Sequence, residues 1–348
     1  KTIKSKNLES RVEDYYVNTH DRQNYIFNSK INGIEESDLI ILVGTNPRYE
    51  ATILNSRIRK SYLKNKTEIY SFGNVGDLTY PYKVLKNDTN LIKDIIENKN
   101  QLSEKIKKAK KPIIILGQSS LKLKSGKYIF EEFKNYLNSV NKINDNWNSL
   151  NVLSNNASTV GSYDLNVLNV NDEKNTILKQ IKSNQFDILF LFGQDNLRFE
   201  KKNEFIIYIG THGDKGAEIA DVILPGAAYT EQDGYFTNLE GKIQKAYKAT
   251  YPPGEAKEDW EIVNDLSALL KRKKIFTNKH ELIDSMMNFI KLNPNVKKNQ
   301  YSSNEFFSEK ILVDPIDYYY SNVIARSSNT MFECRNEKLK TNLTANDG

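Results

Sequence analysis

Four apolar runs of strand length, each stopped by a glycine, constrain the fold of this chain more than any other feature: residues 38–44 (DLIILVG), 112–117 (PIIILG), 186–193 (FDILFLFG) and 205–210 (FIIYIG). A run without polar alternation is the pattern of a strand buried on both faces of a parallel sheet. Parallel neighbours need a crossover, and the sequence supplies one. After the first run, Ala51, Ile53, Leu54, Ile58, Tyr62 and Leu63 recur at mixed spacings of three and four, and EIYSFG at 68–73 then begins another strand. This strand, helix, strand order implies a right-handed crossover. Further amphipathic helices are predicted at 128–137, 260–270 and 281–292. The expected fold class is α/β, with two Rossmann-like open parallel-sheet units. Strands that end in glycine and a small polar residue leave a crevice at the carboxyl edge, where such folds bind ligands.

The 348 residues exceed one ordinary core. The predicted division is a polar lead-in at 1–37, a first α/β unit at 38–145, a second at 146–292 and an extended carboxy-terminal arm at 293–348. The lead-in holds Tyr15, Tyr16, Tyr25 and Phe27, and the arm holds Phe306, Phe307 and Tyr318 to Tyr320. These aromatic side chains lie outside the periodic segments and are expected at interfaces with other chains.

A hydrophobic fraction of 39% and an aromatic fraction of 11% exclude wholesale disorder, whereas a mean hydropathy of −0.61 marks a polar surface. No apolar run approaches the roughly 20 residues of a membrane span. The basic start leads directly into charged sequence without the apolar core of a secretory signal. Charges of both signs are interspersed, 50 basic against 44 acidic. The dense basic runs at 105–111 and 271–274 adjoin amphipathic segments and read as solvated helix ends, so no nucleic-acid partner is expected. The single Cys334 cannot form an internal disulfide or hold an iron–sulfur cluster. His20, His212 and His280 are too scattered to suggest zinc.

The longest stretch in which backbone need fixes the residue types is 220–244, ADVILPGAAYTEQDGYFTNLEGKIQ. A short strand, VIL, is stopped by Pro225 and Gly226, and Gly234, Asn238 and Gly241 then interrupt an aromatic segment. This order resembles the signature of the molybdopterin oxidoreductase superfamily. Residues 38–51 and 55–62 (NSRIRKSY), 206–217 (IIYIGTHGDKGA), 252–260 (PPGEAKEDW) and 324–331 (IARSSNTM) resemble one branch of it, the carboxy-terminal half of the largest iron–sulfur subunit of respiratory complex I. The resemblance spans nearly the whole chain and implies a sheet fold of molybdopterin oxidoreductase type that lacks its cofactor. It also implies that the iron–sulfur clusters lie in an amino-terminal half on a separate chain, that the other partners are peripheral-arm subunits of complex I, and that the location is the matrix side of the mitochondrial inner membrane.

The sequence departs from the signature at Lys242, where arginine is usual; lysine cannot make arginine's bidentate contact to phosphate. Neither G-x-G-x-x-G nor a P-loop occurs, so Gly44 and Gly193 read as strand ends. His212 and Asp214 share a glycine-rich turn without a nucleophile motif, and Glu231, Asp233 and Glu240 offer carboxylates whose spacing assigns no role. No catalytic, cofactor-binding or metal-ligating residue is therefore assigned. Two other readings stay open: a molybdopterin-dependent oxidoreductase fragment of the formate dehydrogenase type, and a free-standing protein that binds a small anion at a sheet edge.

Overall fold

The computed structural model describes residues 5, 7–168, 176–195, 197, 199–270, 273–292 and 304–346. Five parallel strands form the first sheet: β1 (Leu39–Val43), β2 (Glu68–Phe72), β3 (Lys83–Leu85), β4 (Pro112–Gly117) and β5 (Leu150–Leu153), in the order β3-β2-β1-β4-β5. Leu39 lies opposite both Glu68 and Pro112, which makes β1 the centre and puts the reversal of strand order between β1 and β4. Every residue of β1 and β4 is buried. Alternate side chains feed two cores, Ile41, Val43, Ile114 and Leu116 on one face and Ile40, Leu42, Ile113 and Ile115 on the other.

The crossover helices supply the cover. Thr52–Asn65 contributes Leu54 and Ile58 to one core, and Gly126–Ser139 contributes Ile129, Phe130, Phe133 and Leu137 to the other. The helix that the spacing from Ala51 to Leu63 predicts starts after a break at Ala51. A separate turn, Pro47–Glu50, precedes it, started by the side chain of Asn46, which accepts the Arg48 amide at 3.1 Å.

The second sheet has three parallel strands, β6 (Ile188–Phe192), β7 (Phe205–Gly210) and β8 (Val222–Pro225), in that order. An antiparallel hairpin, β9 (Gly234–Thr237) and β10 (Ile243–Ala246), follows. Helices Asp259–Leu269 and Lys279–Leu292 match the predicted pair. Two parallel-sheet units are thus present, but only the first is buried on both faces.

Three predicted boundaries or roles change. β5 pairs with β4, so the first unit runs at least through Leu153 and the expected limit at 145 falls too early. The cause is the strand itself: its LNVL pattern follows an Asn-rich stretch that reads as a linker.

The aromatic side chains of the lead-in pack within this chain and not at an interface. Tyr16, Tyr25 and Phe27 are fully buried within this chain, and Phe27 bridges Asn151 at the sheet edge. An aromatic segment without periodicity does not disclose which surface it covers.

The arm, finally, is part of the first unit between 304 and 316. Thr89 donates its amide to Glu309 at 3.0 Å, Ile311 donates to Asn87 at 2.7 Å, and Asp314 donates to the Ser119 hydroxyl at 3.0 Å. It ends in a helix, Asn329–Asn346, that was not predicted. Residues 293–303 of the arm and Lys271 and Arg272 of the second basic run lie outside the described residues.

Ile311 is 2% exposed and joins the larger core, whereas Ile316, five residues on, is 43% exposed. Ile311→Ala is expected to destabilise the chain by about 3 kcal/mol, and Ile316→Ala by less than about 1 kcal/mol. Urea unfolding followed by circular dichroism checks both; equal effects would show that the arm is not anchored where it crosses the sheet.

Candidate functional site

The reversal of strand order between β1 and β4 is where an open α/β sheet presents its ligand crevice. Here two backbone turns meet at its floor. A Cβ on Gly117 would run into the Gly44 carbonyl, and one on Gly44 would lie 2.6 Å from the Ser120 amide, so the two turns touch with no side chain between them. In the first turn, the amides of Asn46 and Arg48 already have side-chain acceptors. Glu50 accepts the Asn46 amide at 3.0 Å and the Thr45 hydroxyl at 2.6 Å, and Asn46 takes the Arg48 amide. Burial pushes the Glu50 carboxyl above its usual range. Residues 311–316 then cross over this edge, roofing a cavity of about 550 Å³ against Asn46, Glu50 and Asn87. Lys122 ties the crossing down by pairing with Asp314 at 2.5 Å and with Glu13.

The carboxyl edge of the second sheet carries the His212 and Asp214 turn. The structure does not bring these two together. The exposed His212 ring contacts the Thr211 hydroxyl at 2.9 Å, while Asp214 pairs with Arg326 at 2.7 Å. Beside them Asp195, raised by burial, accepts the Tyr208 hydroxyl, whose own pKa burial drives well up. This is a packed corner that holds residues 320–326 to the sheet.

The signature stretch acts as a clamp. β8 runs into Gly226, which donates to Gly210 at 2.9 Å, and Ala227 donates to Lys257 at 2.8 Å. Glu231 caps the following turn by accepting the Ala228 amide at 2.9 Å, and Asp233 accepts the Lys248 amide at 3.0 Å. The β9–β10 turn reaches back to the lead-in. Phe27 donates its amide to Leu239 at 2.7 Å, Ile31 donates to Glu240 at 2.9 Å, and Arg22 donates to the Gly241 carbonyl at 2.6 Å. Arg22 also forks onto Asp164 at 2.9 and 2.7 Å, and Asp164 takes the Tyr25 hydroxyl at 2.9 Å. Lys242 points to solvent, with its amide on Asn238. Between this hairpin, the lead-in and residues 156–162 lies a second cavity of about 380 Å³, lined by Ser158, Ser162, Tyr235, Thr237 and Met286 among others.

Sequence spacing could not have found Arg22, Asp164, Glu50 or Arg326, since their partners lie far away in the chain or depend on a turn's exact path. Cys334 is exposed on the last helix. Among the described residues no group of three or more histidine, cysteine, aspartate or glutamate side chains could hold a metal ion. No helix among them is long and apolar enough to cross a membrane.

The profile of the molybdopterin oxidoreductases matches residues 2–269, and the chain belongs to that family. Within it, the chain is similar to the NADH-ubiquinone oxidoreductase 75 kDa subunit of Reclinomonas americana, with 38% identity over 94% of this chain and 49% of that protein. It is also similar to the mitochondrial 78 kDa subunit of the same enzyme in Candida albicans, at 37% over 95% of this chain and 47% of that one. A subunit of the NADH-quinone oxidoreductase of Rickettsia bellii matches at 35% over 92% of this chain and 47% of its own length. The chain therefore spans about half the length of the curated relatives it matches. These names place the likeness in the complex I branch, and the formate dehydrogenase alternative is not favoured.

The crevice at β1 and β4 does not fit the pyrophosphate of a pterin dinucleotide. The Glu50 carboxylate, a like charge, takes the Asn46 amide, Asn46 takes that of Arg48, and the two glycine turns touch. No reaction step is derived through that group.

Two substitutions test the clamp. Gly241 has φ +81° and its Cβ would lie 2.9 Å from the Arg22 guanidinium, whereas Gly254 has φ +56° with open space around it. Gly241→Ala is expected to cost about 2–3 kcal/mol and Gly254→Ala about 1 kcal/mol, by denaturant titration. Equal losses would reduce the clamp to backbone strain alone.

Asp259 begins helix Asp259–Leu269 against Gly226, and burial, with the Glu258 charge, raises its pKa to about 6. A raised carboxyl stabilises the fold below its unfolded value and loses that contribution as pH rises through about 6. Asp259→Asn should therefore leave stability unchanged below pH ~4 and raise it by about 1 kcal/mol at pH ~8, after allowance for partial exposure. Melting curves across that window check the sign.

Proposed function

We propose that this chain is the structural, cofactor-free half of the large peripheral-arm subunit of complex I. In that role it buttresses the arm in which electrons pass from NADH to ubiquinone while protons are moved across the membrane. The observation that carries the reading is the similarity over more than nine-tenths of the chain to one half of that subunit. The geometry supports the cofactor-free part at the reversal itself, where the Glu50 carboxylate takes the Asn46 amide and Gly44 meets Gly117 without a side chain between them. One cysteine within 348 residues cannot hold an iron–sulfur cluster, so the clusters belong to a partner half. In the finer form of the proposal that half is a separate chain, and the assembly faces the mitochondrial matrix. The Glu50 carboxylate at that edge argues against a free-standing anion-binding protein.

The test is blue-native electrophoresis of the source membranes with peptide identification and metal analysis of the purified chain. Comigration with NADH dehydrogenase activity, and no iron, molybdenum or zinc at stoichiometric level on the chain itself, is the expected result. About one equivalent of molybdenum with a pterin would overturn the cofactor-free reading, and absence from the large complex would overturn the rest. His212→Ala and Lys242→Ala should leave NADH oxidation per assembled complex unchanged, because both side chains are exposed in packing turns. A variant that assembles normally yet loses electron transfer to an artificial acceptor would show chemistry at that site.

A further inference from the structure

The two sheets are built from similar strands but are not covered alike. Among the described residues, twenty-eight and twelve buried side chains form the two cores around the first sheet. One face of the second sheet, through Leu189, Leu191, Ile206 and Tyr208, packs with Ile181 into a core of five described residues, and Ile223 of the edge strand stands exposed on that face. The other face is apolar at every position. The register places Ile188 beside Phe205, Ile207 between Phe190 and Val222, and Ile209 between Phe192 and Leu224. Ile209 is buried at the carboxyl end, but Ile188 is 57% exposed, Phe205 45%, Phe192 41% and Val222 37%. The Phe190 and Phe192 rings stack along this face, 6.1 Å apart and 17° from parallel. A sheet face meant for water carries polar side chains there, and parallel sheets normally have helices on both faces.

We propose that this face of β6–β8 docks a single amphipathic helix of a partner protein. Its dimensions favour a helix: three strands spaced about 4.8 Å apart span the diameter of one helix, about 10 Å. Its area disfavours a second copy of the chain. The four exposed side chains leave roughly 300–400 Å² of apolar surface, less than half of the ~800 Å² that each partner buries in a stable dimer. The chain's own helix Lys279–Leu292 is committed elsewhere, since Met286 and Ile290 line the cavity beside the signature hairpin. The docked helix presents apolar residues at i, i+3, i+4 and i+7. The inference uses the sheet alone and stands apart from the complex I reading.

The test places the photo-crosslinking residue p-benzoylphenylalanine at position 192 of the full chain in its source cells and sequences the cross-linked peptides. The expected product joins this chain to a segment of another protein with that helical apolar stripe, whichever assembly the protein belongs to. Phe192→Glu and Ile188→Glu should each weaken retention of the same partner about tenfold, with the circular dichroism and melting of the full chain unchanged. Cross-links to this chain's own peptides, to a second copy or to a segment without the stripe would overturn the proposal, as would no cross-link or full retention by both variants. If either variant fails to fold, the cross-link decides.

Discussion

A parallel strand with no polar alternation has to be covered on two sides, and the structure depends on how that demand is met around β1 and β4. Their side chains enter two cores that lie on opposite faces, and the crossover helices, the lead-in and Ile311 of the arm all contribute to them. Each fully buried Ile, Leu or Phe contributes about 1.5–3 kcal/mol relative to exposure, before the entropy of ordering the chain is subtracted. Segments that look peripheral in sequence are therefore recruited inward. Tyr16, Tyr25, Phe27 and Ile311 come from opposite ends of the chain and end up in cores of the same sheet.

The same close packing accounts for the state of the crevice. Glycines at 44 and 117 let two turns meet where a ligand-binding sheet keeps them apart. Once they meet, the amides at the start of Pro47–Glu50 need acceptors, and Asn46 and Glu50 provide them from within the turn. The signature stretch has a matching role. Its glycines and asparagine shape a hairpin that Arg22, Phe27 and Ile31 grip through backbone carbonyls and Glu240. This stretch joins the second unit to the first.

The second unit meets the demand only halfway. It has three strands, a core of five buried side chains and two following helices with few fully buried residues. In this respect it resembles a subunit half that completes itself by association. A parallel sheet with one bare apolar face is stable enough to form its ladder but leaves surface that water does not tolerate well.

Much of the fold was legible in local sequence because period and punctuation are local. The apolar runs, the glycines that stop them, the 3.6-residue spacing of Leu54 and Ile58, and the VIL-Pro-Gly of the signature each depend on neighbours a few residues away. The family likeness was legible for the same reason, since its motifs are short and contiguous. The helix break at Ala51, the strand at Leu150–Leu153 and the helix Asn329–Asn346 were not, because their limits are set by what they pack on. The candidate site was hardly legible at all. That Arg22 meets Asp164 and Gly241 and that residues 304–316 strap the sheet are contacts across 142, 219 and about 200 positions of chain, whereas Glu50's contacts to Thr45 and Asn46 are local but depend on the path of a turn. The sequence by itself determined strands that must be buried and turns that must be tight. Only the tertiary structure decided which segments bury them, because covering a hydrophobic face is non-directional and any apolar surface of the right shape satisfies it.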